Sequence, residues 1–552
     1  MTARTDGPAA DRASAGPRLS AGGRGPRRVA VIGGGLAGIT AAIALRERGD
    51  DVALLEARPR LGGATCSFAR DGLVVDNGQH VFLRCCTAYR GLLARLGMTG
   101  SVRLQDRFDV TVLAPGRPPQ RPARLRRNAL PGPLHMGMAL AGYPLLSFSE
   151  RFQVGRAALG MMRLDPADPA LDDQRLGDWL AARGQSERAR RALWDLFTIS
   201  SLNIAGDDAN LALAATVVKT ALLGRRDAAD IGVPAVPLGE LHGSAALAHL
   251  RRAGAQLRLS AKVAAIETAP GQAGGFIVRL GRKGDAGTAR AADDDAAALA
   301  DQQPVLPFSN GESWPEPPPP QAAGSSWADG PVIEADAVVL AVPADQAARL
   351  LPAGAAGQPP SPDQWSGLGS SPIVNVHVVY DRPVMAQPFV AAVDSPVQWV
   401  FDRTEQSGLD RDQARSGGQY LAVSVSAADD QVDVPAARLR EMYLPALGEL
   451  FPAARGARVT DFFVTRERRA TFRQAPGCER LRPSAATSLP GLAIAGAWTD
   501  TGWPDTMEGA VRSGLNAARE LRRAHAASQR TAVLSPAAQQ ASEIAGVPGA
   551  GA

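Results

Sequence analysis

A glycine-rich turn near the N-terminus constrains the fold of this chain more than any other feature. Residues 33–38 are GGGLAG, which places Gly33, Gly35 and Gly38 in the G-x-G-x-x-G spacing. The turn follows a short apolar strand and opens a segment whose apolar residues recur at helical spacing. In such a βαβ unit the first glycine permits the tight turn, the second lets the backbone approach a pyrophosphate, and the third lets helix and strand pack closely. The pattern predicts a Rossmann-type domain that binds a dinucleotide.

The residues around this turn complete the expected nucleotide site. Leu36 and Ala37 begin the predicted helix, so their backbone N–H groups and the positive end of the helix dipole favour phosphate binding. Glu56 ends the second predicted strand about twenty residues after the turn, where a carboxylate binds the ribose hydroxyls. An acid at this position favours a 2′-hydroxyl over a 2′-phosphate.

The segment EARPRLGGATCSF, which begins at Glu56, resembles the second fingerprint of the flavin amine oxidase and phytoene desaturase superfamily. In that superfamily a glycine pair, here Gly62 and Gly63, follows the ribose-binding acid and contacts the pyrophosphate. The resemblance implies further cofactor contacts from Ala57, Arg58 and Ala64, although Ala64 stands where the family often has a basic residue. The sequence contains no second G-x-G-x-x-G for a nicotinamide domain. One tightly bound FAD is therefore expected.

Other segments match the same superfamily. The apolar segment AKVAAIE, residues 261–267, stands where the family has its adenine-flanking strand, and there Val263 is expected to lend backbone groups to the cofactor. VVLAVP, residues 338–343, matches a second supporting strand. In DNGQHVF, the resemblance places Gly78 and Gln79 near the flavin ring.

The segment AGAWTDTGWPDTMEGAVRSG, residues 495–514, is expected to form the second half of the flavin site. In the superfamily a Gly-acid pair after the last strand holds the ribityl chain and pyrophosphate, and the next helix points its N-terminus at flavin N1 and O2. Here the pair is Gly496 and Ala497, so the acid is missing, and Asp500 or a water is expected to replace it. The helix is predicted to begin near Thr506 and Met507, where its dipole favours negative charge on reduced flavin.

Four segments together resemble the hydroxysqualene dehydroxylases, also called squalene-associated FAD-dependent desaturases, of bacterial hopanoid and squalene synthesis. The likeness runs over most of residues 28–525. It implies that reduced FAD removes an allylic hydroxyl from hydroxysqualene and that the product is squalene. The segments are DNGQHVFLRCCTAYRGLLARLG, GQSERARRALWDLFTISSLN, LLGRRDAADIGVPAVPLGEL and GAWTDTGWPDTMEGAVRSG.

Ionising an allylic alcohol requires a proton donor for the leaving water and a dry pocket. The candidate donors are His80, Asp500 and Asp505, and the two aspartates flank Trp503, whose ring faces favour a cation. Two of these candidates also have a structural interpretation: His80 would pack against the flavin, and Asp500 would cap a turn.

Two other functions remain open from the sequence. The first is a carotenoid- or phytoene-type FAD-dependent desaturase, which would oxidise a similar polyprenyl chain. The second is a non-catalytic prenyl-binding escort protein on the same fold, for which Ala497 is a hint. The retained glycine motifs and Glu56 argue against the escort. The sequence leaves the electron donor and the oligomeric state open.

The predicted fold class is α/β (α+β). It combines a Rossmann-type FAD-binding domain of the amine oxidase and glutathione-reductase-like class with an interleaved substrate domain of mixed sheet plus helices. The FAD domain is predicted from residues 28–102, 236–280, 331–345 and 475–525, and the substrate domain from a mostly helical part, 103–235, and from 346–474. Disorder is predicted for an N-terminal arm, 1–27, a Pro-rich insertion, 281–330, and a tail, 526–552.

Composition excludes several other classes. The net charge of +5 and the pI of about 9.3 invite a nucleic-acid partner, but the chain has only three lysines and its arginines are scattered, so none is expected. The four cysteines lack CxxC spacing and predict buried thiols in a reducing compartment, with no metal site.

The apolar runs Met136–Phe148 and Leu211–Leu223 are too short to span a bilayer. The protein is therefore expected to be cytoplasmic, or peripheral on the inner face of the membrane, with the first run either resting on the lipid or forming an ordinary buried helix.

Overall fold

The computed structural model describes residues 26–116, 122–269, 275–281, 327, 330–355, 360–411 and 417–545, with the side chains of 411 and 531–545 left aside. The disorder predicted for 1–27 and for 281–330 falls almost entirely outside these described residues.

Twenty strands form the sheets of the described chain. In chain order they are β1 (Arg28–Ile32), β2 (Asp51–Leu55), β3 (Ser67–Arg70), β4 (Leu73–Asp76), β5 (Phe82–Leu83), β6 (Val102–Leu104), β7 (Asp109–Leu113), β8 (Ala123–Arg126), β9 (Ile231–Pro234), β10 (Gln256–Arg258), β11 (Val263–Thr268), β12 (Phe276–Leu280), β13 (Val332–Ala335), β14 (Ala337–Leu340), β15 (Ser371–Tyr380), β16 (Phe389–Ala392), β17 (Trp399–Asp402), β18 (Gln419–Ser426), β19 (Val459–Thr471) and β20 (Leu492–Ile494).

Thirteen α-helices accompany them in the described residues. They are α1 (Leu36–Arg46), α2 (Thr87–Arg95), α3 (Gly137–Ala141), α4 (Phe148–Met162), α5 (Leu176–Ala181), α6 (Glu187–Ala189), α7 (Asp195–Leu202), α8 (Leu211–Val217), α9 (Ala245–Arg252), α10 (Ala344–Leu350), α11 (Thr404–Ser407), α12 (Ala436–Leu450) and α13 (Met507–Ala545). Three π-helical segments, Arg190–Trp194, Val218–Leu223 and Gly239–Ser244, adjoin α7, α8 and α9.

A five-stranded parallel sheet in the order β10-β2-β1-β14-β20 forms the first core. The central strands β1, β2 and β14 are apolar almost throughout and buried on both faces, as a parallel sheet between helix layers requires. Their carboxyl ends lie together, so the turn after β1 and the residue after β2 meet at one edge. The predicted nucleotide site lies at this edge.

A seven-stranded sheet in the order β19-β15-β18-β17-β16-β7-β8 forms the second core. Residues 103–235 were predicted to be mostly helical, but β7 and β8 join this sheet, and β9 pairs with both β5 and β6 in a third sheet. The prediction was wrong for these strands because alternate residues of β7, Val110 and Val112, are fully buried against the sheet core. Helices occupy the part from Leu134 to Leu223.

Helix α13 packs on α1 and closes the parallel sheet. A side chain at Gly514 would overlap the carbonyl oxygen of Ala37, so only a glycine lets the two helices approach this closely. The tail predicted to be disordered from residue 526 is instead helical to Ala545. Its alanine-rich composition has a high helix propensity, and it extends a helix that packing has already nucleated.

The apolar run Met136–Phe148 is not one buried helix. It comprises the end of a 3₁₀ turn, the short helix α3, a loop and the first residue of α4. Within the described part of the chain, no helix is both long and apolar enough to cross a membrane.

Candidate active site

The glycine-rich turn after β1 is packed so tightly that its first and third glycines cannot carry side chains. A side chain at Gly33 would overlap the carbonyl oxygen of Ala341, and one at Gly38 would overlap the carbonyl oxygen of Gly33 itself. The Gly33 N–H donates to the Leu55 carbonyl over 2.8 Å, which ties the turn to β2. The glycine spacing seen in the sequence thus has the steric reason expected for it.

The N-terminus of α1 has no side-chain cap for its backbone N–H groups. Gly35 is its N-cap, no side chain caps it, and its first turn, from Leu36 and Ala37, holds no acidic residue. A Cβ atom added to Gly35 would meet only the Cα of Gly63, at 3.9 Å, so the space beside this helix end is open. An uncapped helix end beside open space fits the pyrophosphate of a dinucleotide.

Glu56 lies at the end of β2 and is 9% exposed. Its Oε2 accepts the Gly34 N–H over 2.6 Å, and its Oε1 accepts the Arg58 N–H over 2.7 Å. Each carboxylate oxygen keeps a second lone pair, so both oxygens can still accept hydrogen bonds from ribose hydroxyls. The Glu56 carbonyl also accepts the Ala261 N–H over 2.8 Å, which brings the approach to β11, with Val263 as its first residue, beside the ribose position.

The glycine pair of the second fingerprint rests directly on the first. Gly62 and Gly63 have φ of +106° and +57°, in the left-handed region that favours glycine. The Gly62 N–H donates to the Gly34 carbonyl over 2.9 Å, and a Cβ on Gly63 would come within 2.8 Å of the Gly35 Cα. The two predicted motifs therefore form one continuous surface, while the neighbouring Ala57, Arg58 and Ala64 are exposed along it.

The loop from Asn77 connects this surface to the seven-stranded sheet. The Asn77 Nδ2 donates to the Ala64 carbonyl and to Glu467 Oε1, each over 2.8 Å, and Asn375 Nδ2 donates to the Asn77 carbonyl over 3.1 Å. Thr465 Oγ1 also donates to that carbonyl, over 3.2 Å. The loop that carries Gly78, Gln79 and His80 thus lies at the boundary of the two main sheets.

His80 lies in this loop and is half-buried. Burial lowers the pKa of its imidazole to about 4, because desolvation outweighs the favourable field of Asp76. The Asp76 carboxylate is itself engaged, accepting from Arg403 Nη2 over 2.6 Å and from the Leu238 N–H over 2.9 Å. At neutral pH His80 is uncharged, so it can hydrogen-bond a substrate hydroxyl but is a weak source of protons.

The C-terminal segment folds as predicted around the start of α13, which begins at Met507. Thr506 Oγ1 accepts the Gly509 N–H over 3.3 Å and so caps the helix. Gly496 donates its N–H to Ser513 Oγ over 2.9 Å. Ala497, where an acid was expected, offers only backbone groups and a methyl group.

Arg482 holds this segment in place, and sequence reasoning missed it. It is 3% exposed and donates to the carbonyls of Ala497, Thr499 and Trp503, at 3.2, 2.6 and 2.9 Å. Its charge is balanced by Glu479, at 2.6 Å. A single arginine in a loop carries no motif, so its role emerges only from the carbonyls that surround it.

The two candidate aspartates have different environments. Asp500 is exposed, and its Oδ1 accepts the Gly502 N–H over 3.1 Å, which is the turn-capping interpretation. Asp505 Oδ2 accepts the Phe472 N–H over 2.9 Å, and burial raises the pKa of this carboxyl to about 6. Between them, Trp503 has one ring face covered by the Arg512 guanidinium, 4.5 Å from the ring centroid.

A second buried group behind the site also escaped sequence reasoning. Glu508, 1% exposed, accepts the Ala88 and Tyr89 N–H groups over 3.2 and 2.8 Å and so caps α2 from α13. The Tyr89 hydroxyl lies 2.8 Å from His242 Nε2, and burial lowers the pKa of His242 to about 3. These contacts join α2, α13 and the segment that packs beside Gly62.

We predict that Arg482→Gln weakens flavin binding. The change leaves three carbonyls of the 497–503 turn without their shared donor, and each unsatisfied buried group costs about 1–3 kcal/mol. The measurement is the flavin content of the purified protein and the dissociation constant on reconstitution with FAD. Arg480→Gln is the matched control, because Arg480 is exposed and, within the described residues, its side chain pairs with the exposed Asp173 and the edge of the buried Asp172 rather than with the 497–503 turn. Equal flavin content in the two variants would contradict the role given to Arg482.

We also predict that the protein loses stability as pH falls below about 6.5. His377 is fully buried between the Tyr420 hydroxyl, at 2.7 Å, and Thr465 Oγ1, at 3.0 Å, and burial lowers its pKa to about 3. Because the unfolded histidine takes up a proton near pH 6.5 and the folded one does not, its contribution is present above that pH and is lost on acidification. His80 and His242 act in the same direction.

Urea unfolding of the holoprotein between pH 8 and pH 5 measures how the free energy of unfolding changes with pH. Below about pH 6.5, each such histidine lowers the free energy of unfolding by about 1.4 kcal/mol for each pH unit of acidification. His377→Gln should have a lower free energy of unfolding than the parent at pH 8. This difference should narrow as pH falls, because only the parent loses the contribution of His377. A gap that stays constant across this range would count against the assignment.

Comparison with known proteins identifies the family. The family model described as flavin containing amine oxidoreductase matches residues 36–307 and 316–522. A hydroxysqualene dehydroxylase of Rhodopseudomonas palustris is 28% identical, covering 89% of this chain and 97% of the relative. One of Sinorhizobium fredii is 26% identical, covering 89% and 98%. A zeta-carotene desaturase of Zea mays is 25% identical, covering 89% and 83%.

Solved structures show the same fold. A putrescine oxidase bound to putrescine is similar with a TM-score of 0.61 at 18% identity, covering 90% of this chain and 99% of that one. The cyclohexylamine oxidase of Brevibacterium oxydans reaches 0.59 at 18% identity, covering 90% and 98%. The predicted α/β fold class and the predicted FAD are confirmed. Since the family model covers most of the chain, this protein belongs to the flavin containing amine oxidoreductases and is an FAD-dependent oxidoreductase.

Proposed function

We propose that this chain catalyses the FAD-dependent reductive dehydroxylation of hydroxysqualene to squalene, in hopanoid and squalene biosynthesis. The observation that carries the proposal is the alignment with two relatives of that name along nearly the whole length of both chains. We assign the parallel sheet and its helices to the FAD domain, and the seven-stranded sheet with the helices of 134–223 to the substrate domain.

The cofactor would be held by the residues that the structure brings together at the edge of the parallel sheet, and reduced FAD, when bound, supplies the hydride that replaces the hydroxyl. We assign ribose binding to Glu56 and pyrophosphate binding to the N-terminus of α1. The remaining contacts are assigned to Gly33, Gly35, Leu36, Ala37, Gly38, Ala57, Arg58, Gly62, Gly63, Ala64, Gly78, Gln79, Val263, Gly496, Ala497, Thr506 and Met507.

We assign the proton donor to Asp505. Its carboxyl has a pKa of about 6, so a fraction of it is protonated near neutral pH, and its Oδ1 makes no hydrogen bond within the described residues. As the C–O bond breaks, the Asp505 proton passes to the hydroxyl oxygen and water leaves. A hydrogen takes the place of the hydroxyl on carbon, so that R–OH becomes R–H and water.

His80 takes a second role in this proposal. As a neutral imidazole it accepts or donates a hydrogen bond at the hydroxyl and so orients the leaving group without protonating it. Asp500 keeps its turn-capping contact with Gly502 and takes no part in the chemistry. The exposed Asp500 carboxylate is held within its own turn. We therefore do not propose that it replaces the acid that the family has at the position of Ala497.

We place the reaction at the inner face of a membrane. A polyprenyl substrate as apolar as hydroxysqualene partitions into lipid, because each buried CH₂ favours transfer from water by about 0.8 kcal/mol. The four cysteines are free thiols, which fits a reducing compartment.

A phytoene-type desaturase is the second candidate. It is favoured by the relative from Zea mays and by 15-cis-phytoene desaturases that are 21–25% identical to this chain. Such an enzyme would oxidise its polyprenyl chain rather than reduce it. The family assignment as an oxidoreductase leaves a non-catalytic escort role without support.

Anaerobic incubation of the dithionite-reduced holoprotein with hydroxysqualene, followed by gas chromatography, tests the proposal. We expect squalene. The oxidised holoprotein with phytoene or zeta-carotene should form no new double bond. Flavin-loaded protein that forms no squalene, or that desaturates a carotene, would refute the proposed reaction.

We predict that Asp505→Asn lowers kcat by about 10²–10⁴, the usual contribution of a general acid, while flavin content stays the same. Since only the protonated carboxyl can donate, the parent rate should fall as pH rises above about 6. Asp500→Asn is the matched control and should keep the parent rate. A larger loss for Asp500→Asn than for Asp505→Asn would exclude this assignment.

A further inference from the structure

The large hydrophobic side chains that the described chain leaves exposed are concentrated in one segment. Nine such side chains are exposed, and seven of them lie between residues 130 and 162. Phe148 is 84% exposed and Met138 is 70% exposed, far beyond the scattered apolar exposure of an ordinary surface. We call these seven residues the α3–α4 apolar surface: Leu130, Leu134, Met138, Phe148, Phe152, Leu159 and Met162.

Four of the seven belong to α4 and share one face of it. At about 100° per residue, Phe148, Phe152, Leu159 and Met162 fall within an arc of about 80°. The opposite face, with Val154, Ala157 and Met161, is buried against the protein core. Helix α4 is therefore apolar on two sides, and only one of them has a partner in the described chain. The sequence offered membrane contact or a buried helix for 136–148, whereas most of this exposed face of α4 lies beyond that run.

Arginines border the exposed face. Arg156 and Arg163 lie along one edge of the arc, both exposed, and neither forms an ion pair with the described residues. Arg151 lies along the other edge, where it donates to the carbonyls of Ala141, Tyr143 and Leu146 and so binds the loop before α4 to the helix. The acid of α4, Glu150, is taken up by the capping interactions of Ser147 and Ser186.

We infer that the α3–α4 apolar surface docks on a lipid bilayer with anionic headgroups. An apolar helix face bordered by arginines on both sides suits the headgroup boundary, where the apolar side chains enter the acyl region and the guanidinium groups reach the phosphates. The exposed Arg156 and Arg163, which have no acidic partner within the described residues, complement an anionic lipid surface. This docking does not depend on which polyprenyl reaction the enzyme catalyses.

Sedimentation of the flavin-loaded protein with sucrose-loaded vesicles tests this docking. Vesicles of phosphatidylcholine alone are compared with vesicles that also contain phosphatidylglycerol, at low and high salt. We expect binding to the phosphatidylglycerol vesicles, weakened by salt. The double variant Phe148→Ser, Phe152→Ser should bind at least about tenfold more weakly, since two aromatic side chains no longer enter the lipid.

Two further variants separate apolar from electrostatic binding. Arg156→Gln with Arg163→Gln should weaken binding to phosphatidylglycerol vesicles by roughly fivefold for each arginine and leave weak binding to phosphatidylcholine unchanged. Met442→Ser removes an exposed apolar side chain of α12 and should bind as the parent does. All the replaced side chains are exposed, so unchanged melting temperatures and flavin spectra are expected.

Three results would overturn the docking. The parent could remain in the supernatant with every vesicle composition. The serine double variant could bind as well as the parent does. Size-exclusion chromatography could show a dimer that the serine variant converts to monomer, in which case the surface is an interface between copies of this chain.

Discussion

The close backbone contact around the Gly33–Gly38 turn is the constraint on which the rest of the structure depends. The end of β14 abuts Gly33, the pair Gly62–Gly63 rests on Gly35, and Gly514 of α13 abuts Ala37. Three segments that are far apart in the sequence thus meet one turn at distances that leave no room for a Cβ atom. Because a packed interior cannot absorb such an overlap, the parallel sheet, its helices and the nucleotide site share a single geometry.

The nucleotide half of the site could be predicted because its chemistry requires certain residue types at short, fixed spacings. Glycines at Gly33, Gly35 and Gly38 and the acid at Glu56 identify such a site within about thirty residues of sequence. The second sheet has no comparable signal. Strands β7 and β8 are short, and β16, which pairs with β7 and joins the β7–β8 hairpin to the sheet, follows much later in the chain. The alternation in β7 is too brief to outweigh the helical periodicity of the longer segments after it. Pairing over such separations is decided by tertiary packing rather than by propensity.

The environments of the candidate catalytic residues were only partly predictable. Asp500 and Asp505 lie in one segment and look equivalent in the sequence, yet Asp500 is exposed in a turn, whereas Asp505 is half-buried and accepts the Phe472 N–H. Their difference comes from residues that precede them by some thirty positions and that no spacing rule connects to them. The same holds for Arg482, whose importance depends on three carbonyls that a sequence does not display as a motif. His80 was found from its motif, but its low pKa depends on burial.

The late position of β20 and α13 has a consequence for how the enzyme is made. A ribosome releases the glycine-rich turn long before it synthesises β20, α13 and Arg482, which complete the other half of the site. A nascent chain can therefore present the phosphate-binding helix end but not a closed cofactor pocket, and β14 lacks its outer neighbour until residue 494 has emerged. From the contacts proposed for this segment, we expect stable flavin incorporation to follow the synthesis of α13, and a chain truncated before α13 to lose its cofactor.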